Sequence, residues 1–167
     1  MSIEIRPLAP GDDAVLSHVA DGVFDHAIDP TLTREFLTDP RHHLFVAIDD
    51  GLVVGMVTAV DYVHPDKPRQ LWINEIGVAP THQRRGIARG LLDAMLVHGR
   101  AIGCTEAWLG TEDTNEAANA LYRAAGATPA PFVLYSWELH PGSATDDHDA
   151  ARAPDAAAPA PRHRTGE

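Results

Sequence analysis

Val78-Ala79-Pro80-Thr81-His82-Gln83-Arg84-Arg85-Gly86-Ile87-Ala88 is the stretch whose reading decides the fold. It joins the end of an apolar strand, broken at Ala79-Pro80, to the start of a helix. The first backbone N–H groups of a helix have no carbonyl partner, and the aligned peptide dipoles add about half a positive charge there. Such a turn binds anions, and a diphosphate suits it best. Gly86 and the small Ala88 let the backbone approach oxygen atoms closely, while Arg84 and Arg85 can neutralise phosphates from the rim. The plain alternative is a solvated loop at Gln83 to Arg85 and an ordinary turn glycine at Gly86.

Working outward, Trp72-Ile73-Asn74-Glu75-Ile76-Gly77-Val78 belongs to a strand expected over Leu71 to Val78, preceded by a loop at His64 to Arg69. His43 to Ile48 and Leu52 to Tyr62 read as two strands joined at Asp50-Gly51, a strong hairpin signal. Ile3 to Pro7 alternates like a first strand. Asp12 or Asp13 caps an expected helix bearing Val15, Leu16, Val19 and Val23, and a second short helix follows from Thr31 or Thr33 through Leu37. Downstream of the turn, Ile87, Leu91, Leu92, Met95, Leu96 and Ile102 share one face of a helix expected over Gly86 to Ile102, stopped by Gly103. A strand at Ala107 to Leu109, a helix at Ala117 to Ala125 and a last strand at Phe132 to Leu139 complete the expectation. The fold class is α/β (α+β), a mixed and mostly antiparallel sheet flanked by about four helices.

The 167 residues suffice for one domain, assigned to residues 1–140. Residues 141–167 are rich in Ala, Pro, Asp and Arg, lack Ile, Leu, Val and aromatics, and read as a disordered tail. The formal charge is −11, of which −9 (10 Lys and Arg against 19 Asp and Glu) precedes His140. So acidic a surface repels nucleic acid and anionic membranes and favours cationic small molecules as partners. No run approaches a membrane span, the first residues do not order as a signal peptide, and the single Cys104 has no disulfide partner, so the expected location is cytoplasmic. The histidines between His18 and His98 show no HxxxH or HExxH spacing, so no metal is expected.

A second signature, Asn115-Glu116-Ala117-Ala118-Asn119-Ala120-Leu121-Tyr122-Arg123-Ala124-Ala125-Gly126-Ala127, follows the turn. With it, the chain resembles the GNAT superfamily of N-acetyltransferases from about Ile3 to Leu139. There Q/R-x-x-G-x-G/A binds the pyrophosphate of acetyl-CoA and N-x-x-A-x-x-L-Y-x-x-x-G flanks pantetheine. The resemblance implies acetyl-CoA as cosubstrate. It places Ile76, Gly77 and Val78 along the pantetheine arm, Gln83, Arg84, Arg85, Gly86, Ile87 and Ala88 at the pyrophosphate, Asn115 beside pantetheine and Tyr122 near the thioester sulfur. It also makes the Val78 N–H the expected oxyanion donor. Gly126-Ala127 departs from the family's common Gly-Phe ending.

Acyl transfer to nitrogen needs a neutral amine, a polarised carbonyl and a proton for the leaving thiolate. Glu75, an acid interrupting an apolar strand, is the candidate base, against an outward residue paired with Arg84 or Arg85. Tyr122, protonated at neutral pH, is the candidate acid, against a core tyrosine. A narrower resemblance, in Lys67-Pro68-Arg69, Glu75 to Val78 and His82 to Ala88, is to aminoglycoside 3-N-acetyltransferases of the fortimicin or gentamicin type, which usually carry Asp where this chain has Glu75. It implies an aminoglycoside acceptor, and Asp61, Asp66, Glu112 and Asp113 are the candidate ammonium-binding residues, each otherwise an ordinary solvated acid. The alternatives are acetylation of protein N-termini, diamines or another small amine, or an acetyl-CoA-sensing module without turnover. A homodimer is a possible assembly.

Overall fold

The computed structural model describes residues 3–137 and 139. Its strands are β1 (Glu4–Pro7), β2 (His42–Asp49), β3 (Leu52–His64), β4 (Lys67–Val78) and β5 (Glu106–Trp108). Its helices are α1 (Pro30–Thr38), α2 (Ile87–Ala101) and α3 (Glu116–Ala124), with 3-10 turns at Asp13–Ser17 and Pro80–His82. The strands form one sheet in the order β1-β2-β3-β4-β5, antiparallel except for the β4–β5 pair.

The β2–β3 hairpin forms where the sequence signals it, because Asp50 (φ +51°) and Gly51 (φ +79°) both take the left-handed conformation that matches strand twist. The segment expected as a loop at His64 to Arg69 is instead a two-residue turn, Pro65-Asp66, since β3 and β4 keep pairing as far as His64 and Lys67. On one face of the sheet α2 buries Ile87, Leu91, Leu92 and Met95 against Phe45, Ala47, Val57, Ala59, Leu71 and Ile73. Each of these large α2 side chains contributes about 1.5–3 kcal/mol by leaving water. On the other face Leu16, Val23 and Leu37 cover Leu44, Val46, Val53 and Met56.

The helix expected after Asp12 shrinks to the 3-10 turn Asp13–Ser17. Its intended continuation is captured by the sheet, where His18 O accepts from Val53 N at 2.9 Å and Ala20 N donates to Val53 O at 2.9 Å, and ladder bonds on β3 exclude helical ones. The next helix is α1, capped not by a threonine but by Asp29, whose Oδ1 accepts from Thr31 N and Leu32 N, with Pro30 opening the helix. Three α-helices therefore stand among the described residues where about four were expected.

The chain divides into two compact units, Met1–Ala130, which carries every helix and strand found among the described residues, and Pro131–Glu167. The last strand expected at Phe132 to Leu139 is absent among the described residues. Residues 131–137 and 139 carry no strand assignment, with Phe132, Leu134 and Trp137 exposed. Apolar β-branched and aromatic residues favour extended backbone, but a strand exists only through a ladder to a neighbour, and none is formed here. The tail expected at 141–167 lies outside the described residues.

Candidate active site

The β4–β5 ladder holds only Gln70–Glu106, Leu71–Ala107 and Trp72–Trp108, after which β4 runs on to Val78 paired solely with β3. The two parallel strands thus part at the stacked Trp72 and Trp108 rings, 4.5 Å between centroids. This leaves the β5-side edge of Ile73 to Val78, including Ile76, Gly77 and Val78, without a strand neighbour among the described residues. An unpaired edge is a template for an extended, amide-bearing ligand.

β4 leads directly into the turn. Arg84 (φ +62°) and Gly86 (φ +80°) are both left-handed, and a β-carbon on Gly86 would meet nothing within 4 Å, so the turn demands glycine for its backbone angle and stands open. Gln83, Arg84, Arg85 and Gly86 are exposed, while Ile87 is buried and anchors α2. The first α-type bond runs from Gly90 N to Gly86 O, so the N–H groups of Ile87, Ala88 and Arg89 have no partner within the helix. The Gln83 side chain turns back, its Nε2 donating to Val78 O at 3.2 Å. These are the features a phosphate linker needs, namely free donors, positive charge and close access.

Glu75 reaches its place through a β-bulge. Thr58 pairs with Glu75 but Ala59 pairs with Ile73, so Asn74 is an extra residue in β4. The bulge inverts the alternation, which puts Leu71 and Ile73, then Ile76 and Val78, on the α2 face. Glu75 and Gly77 are thereby turned to the α1 face. There Glu75 lines a cavity of about 340 Å3 together with Thr58, Asp25, His26, Phe24, Ile28, Asp29, Leu32, Phe36 and Leu44. Burial, and then the charge of Asp25, raise the Glu75 pKa above its ordinary value. An adjoining crevice of about 630 Å3 shares Leu16, Phe24, His26 and Ile28 but does not contain Glu75.

Gly77 admits no side chain for a separate reason, since its β-carbon would lie 2.1 Å from the carbonyl oxygen of Val23. The 20–28 segment thus presses onto β4 at Gly77, and the same segment walls the cavity. Asn115 is the cap of α3, its Oδ1 accepting from Ala118 N at 3.1 Å. Tyr122 on α3 packs against the α2-side core with Leu121 and Ala125, and burial raises its pKa, keeping the phenol protonated.

The four acids expected to bind an acceptor do not line the Glu75 cavity. Asp61 is 1% exposed, its Oδ1 2.8 Å from His43 Nε2, with Arg69 Nη1 3.2 Å from Oδ2. Asp66 occupies the β3–β4 turn beside His64, with which it hydrogen-bonds. Glu112 and Asp113 are exposed in the loop before α3, where their carbonyl oxygens accept from Asn119 Nδ2. The acids that do approach Glu75 are Asp25 and Asp29, which the sequence reading missed because they lie in a segment of irregular structure. The one legible signal was the three-residue step from Ile73 to Ile76, which breaks the two-residue alternation and marks the bulge.

A parted pair of parallel strands, an open turn at a helix start and a carboxylate facing a separate cavity thus meet at the end of β4. A model of the Acetyltransferase (GNAT) family matches residues 15–127, and the chain belongs to that family, as an acetyl-CoA-dependent N-acetyltransferase. It is 29% identical to the aminoglycoside N(6')-acetyltransferase type 1 of Salmonella typhimurium over 136 residues, 78% of this chain and 84% of that protein. In fold it is similar to an aminoglycoside acetyltransferase from an uncultured soil metagenomic sample, with a TM-score of 0.72 at 20% identity, covering 84% of this chain and 100% of the other. It is also similar to the aminoglycoside N-acetyltransferase AAC(6')-Iy in complex with CoA, with a TM-score of 0.66 at 23% identity, covering 82% and 95%. Among the described residues no helix is long and apolar enough to cross a membrane.

Proposed function

We propose that this enzyme moves the acetyl group of acetyl-CoA directly to a primary amine of a small cationic acceptor, an aminoglycoside in the first instance. The observation that carries the reading is Glu75, set by a bulge into a cavity with Asp25 and Asp29 three residues before β4 ends at Val78 and leads into the turn. Bound acetyl-CoA supplies the thioester, whose C–S bond is exchanged for a C–N bond to the acceptor. Arg84, Arg85 and the free N–H groups of Ile87, Ala88 and Arg89, with Gly86 giving access, bind the pyrophosphate, and the open edge at Ile76 to Val78 pairs with pantetheine. Asp25 and Asp29 attract the ammonium form of the acceptor.

Glu75 then accepts the ammonium proton, and its raised pKa brings its basicity nearer to working pH. Tyr122 donates a proton to the departing thiolate and is restored by the second proton, which the newly acetylated nitrogen sheds as the C–S bond breaks. The N–H of Val78 is the donor toward the carbonyl oxygen as charge develops on it. Similarity to an enzyme named for the 6'-amine supports that position. The 3-amino position rests on the sequence resemblance alone.

A second reading is favoured by one feature, the apolar wall of the cavity formed by Phe24, Ile28, Leu32, Phe36 and Leu44. It suits an amine carried on an apolar body, such as an arylalkylamine or a peptide N-terminus. Thiol release from acetyl-CoA separates the readings when followed with gentamicin, sisomicin, spermidine, phenethylamine and a short peptide. Turnover with the aminoglycosides supports the first, and turnover confined to the apolar amines replaces it with the second. Coenzyme uptake without turnover on any amine would refute both.

A further inference from the structure

One half-buried carboxylate beside the turn at Gln83 to Gly86 has no part in the reaction described above. Asp49, the last residue of β2, places Oδ2 3.3 Å from His82 Nε2 and 3.5 Å from both Nη1 and Nη2 of Arg85. The Asp49 and His82 side chains are 16% and 17% exposed, and that of Arg85 45%. Asp49 Oδ1 is buried and accepts no hydrogen bond among the described residues. Leaving a buried carboxylate oxygen unsatisfied costs free energy, and ion pairs at these lengths with a half-exposed arginine return little of it. Stability alone therefore does not account for the placement.

What the contacts do is fix the turn. Arg85 and His82 are drawn toward β2 by Asp49, while Gln83 is tied to β4 through Val78 O. Held from two strands, the left-handed Arg84 and Gly86 keep the donors of the turn facing outward together. Resting on the reading that this turn binds the coenzyme pyrophosphate, we propose that Asp49 is a positioning residue for that phosphate. It acts through Arg85 and His82, which it aligns before the coenzyme arrives. A carboxylate this near a diphosphate opposes binding by its charge alone, so the two possible roles of Asp49 have opposite signs.

The test is CoA affinity by calorimetry and steady-state kinetics on Asp49→Ala, Asp49→Asn, Arg85→Ala and the double variant Asp49→Ala/Arg85→Ala, each with a melting curve. Losing a tether of this kind weakens CoA binding about five- to tenfold in Asp49→Ala. The loss is carried by KM for acetyl-CoA rather than by kcat. Asp49→Asn, which keeps an acceptor oxygen in place, loses less, and the double variant loses less than the sum of the two single losses. With S-acetylpantetheine, which lacks the phosphates, Asp49→Ala and wild type react alike. Equal or tighter CoA binding in Asp49→Ala, or additive losses in the double variant, overturns the proposal while leaving the phosphate-turn reading intact. Wild-type protein that takes up no CoA overturns both. Should Asp49→Ala fail to fold, Asp49→Asn with Arg85→Ala closes the same cycle.

Discussion

Glu75→Gln separates the catalytic use of this residue from its structural cost. The substitution keeps size and hydrogen-bonding capacity at the bulge but removes both the base and the charge. General bases contribute about 10²- to 10⁴-fold, so kcat falls at least ~10²-fold, about 2.7 kcal/mol of barrier, with KM for acetyl-CoA nearly unchanged. The sign on stability is opposite. Because burial and Asp25 raise the folded-state pKa of Glu75, the folded protein holds this proton more tightly than the unfolded chain. Stability is therefore lost as pH rises from the ordinary glutamate value through the raised one, and Glu75→Gln melts slightly higher than wild type at neutral pH. The same cause predicts that Asp25→Asn moves the acidic limb of the kcat/KM profile to lower pH. The assay is thiol release across pH, with melting curves alongside. A Glu75→Gln rate within about threefold of wild type would refute the base assignment.

Tyr122→Phe lowers kcat by tenfold or more without unfolding the protein, since the ring still packs against Leu121 and Ala125; steady-state kinetics that match wild type would remove the phenol from the mechanism. Gly77→Ala forces a β-carbon to 2.1 Å from Val23 O, backbone against backbone, and costs about 3 kcal/mol or more, read as a fall in Tm of roughly 10 °C. His98 has a lowered pKa from burial first and then from His43, against an opposing pull from Asp61. The unfolded chain thus binds this proton first, so stability is present above about pH 6.5 and declines as pH falls below it. His98→Gln should flatten that decline between about pH 7.5 and pH 5, and an unaltered slope in the melting curves would dismiss the assignment.

Local chemistry made much of the molecule legible. Asp50-Gly51 specifies its hairpin because both turn residues tolerate positive φ, and the Ile87 to Met95 spacing specifies α2 because one face must leave water. The turn into α2 is legible for the same reason, since a strand stop, a glycine and a helix start are neighbours in the chain. Where a segment's fate is set by a distant partner, such rules misjudge it. Val15 to Val23 has helical spacing, but β3 captures it at Val53, and the stretch expected as a last strand has strand-forming residues but no ladder among its described residues, 132–137 and 139.

The sequence by itself determined the family and the strand-to-helix turn at Gln83 to Ala88, and it marks Glu75 as an acid within an apolar strand, because each is written within a few consecutive residues. Only the tertiary structure decided what surrounds them. It turned Glu75 to the α1 face through the Asn74 bulge, brought Asp25 and Asp29 to it, and put Asp61 under α2 with His43. It also set Asp49 against Arg85, 36 positions apart in the chain. The physical reason is that a carboxylate's type is local, whereas its burial, its neighbours and the face it occupies depend on strand register and packing, which couple residues far apart in sequence.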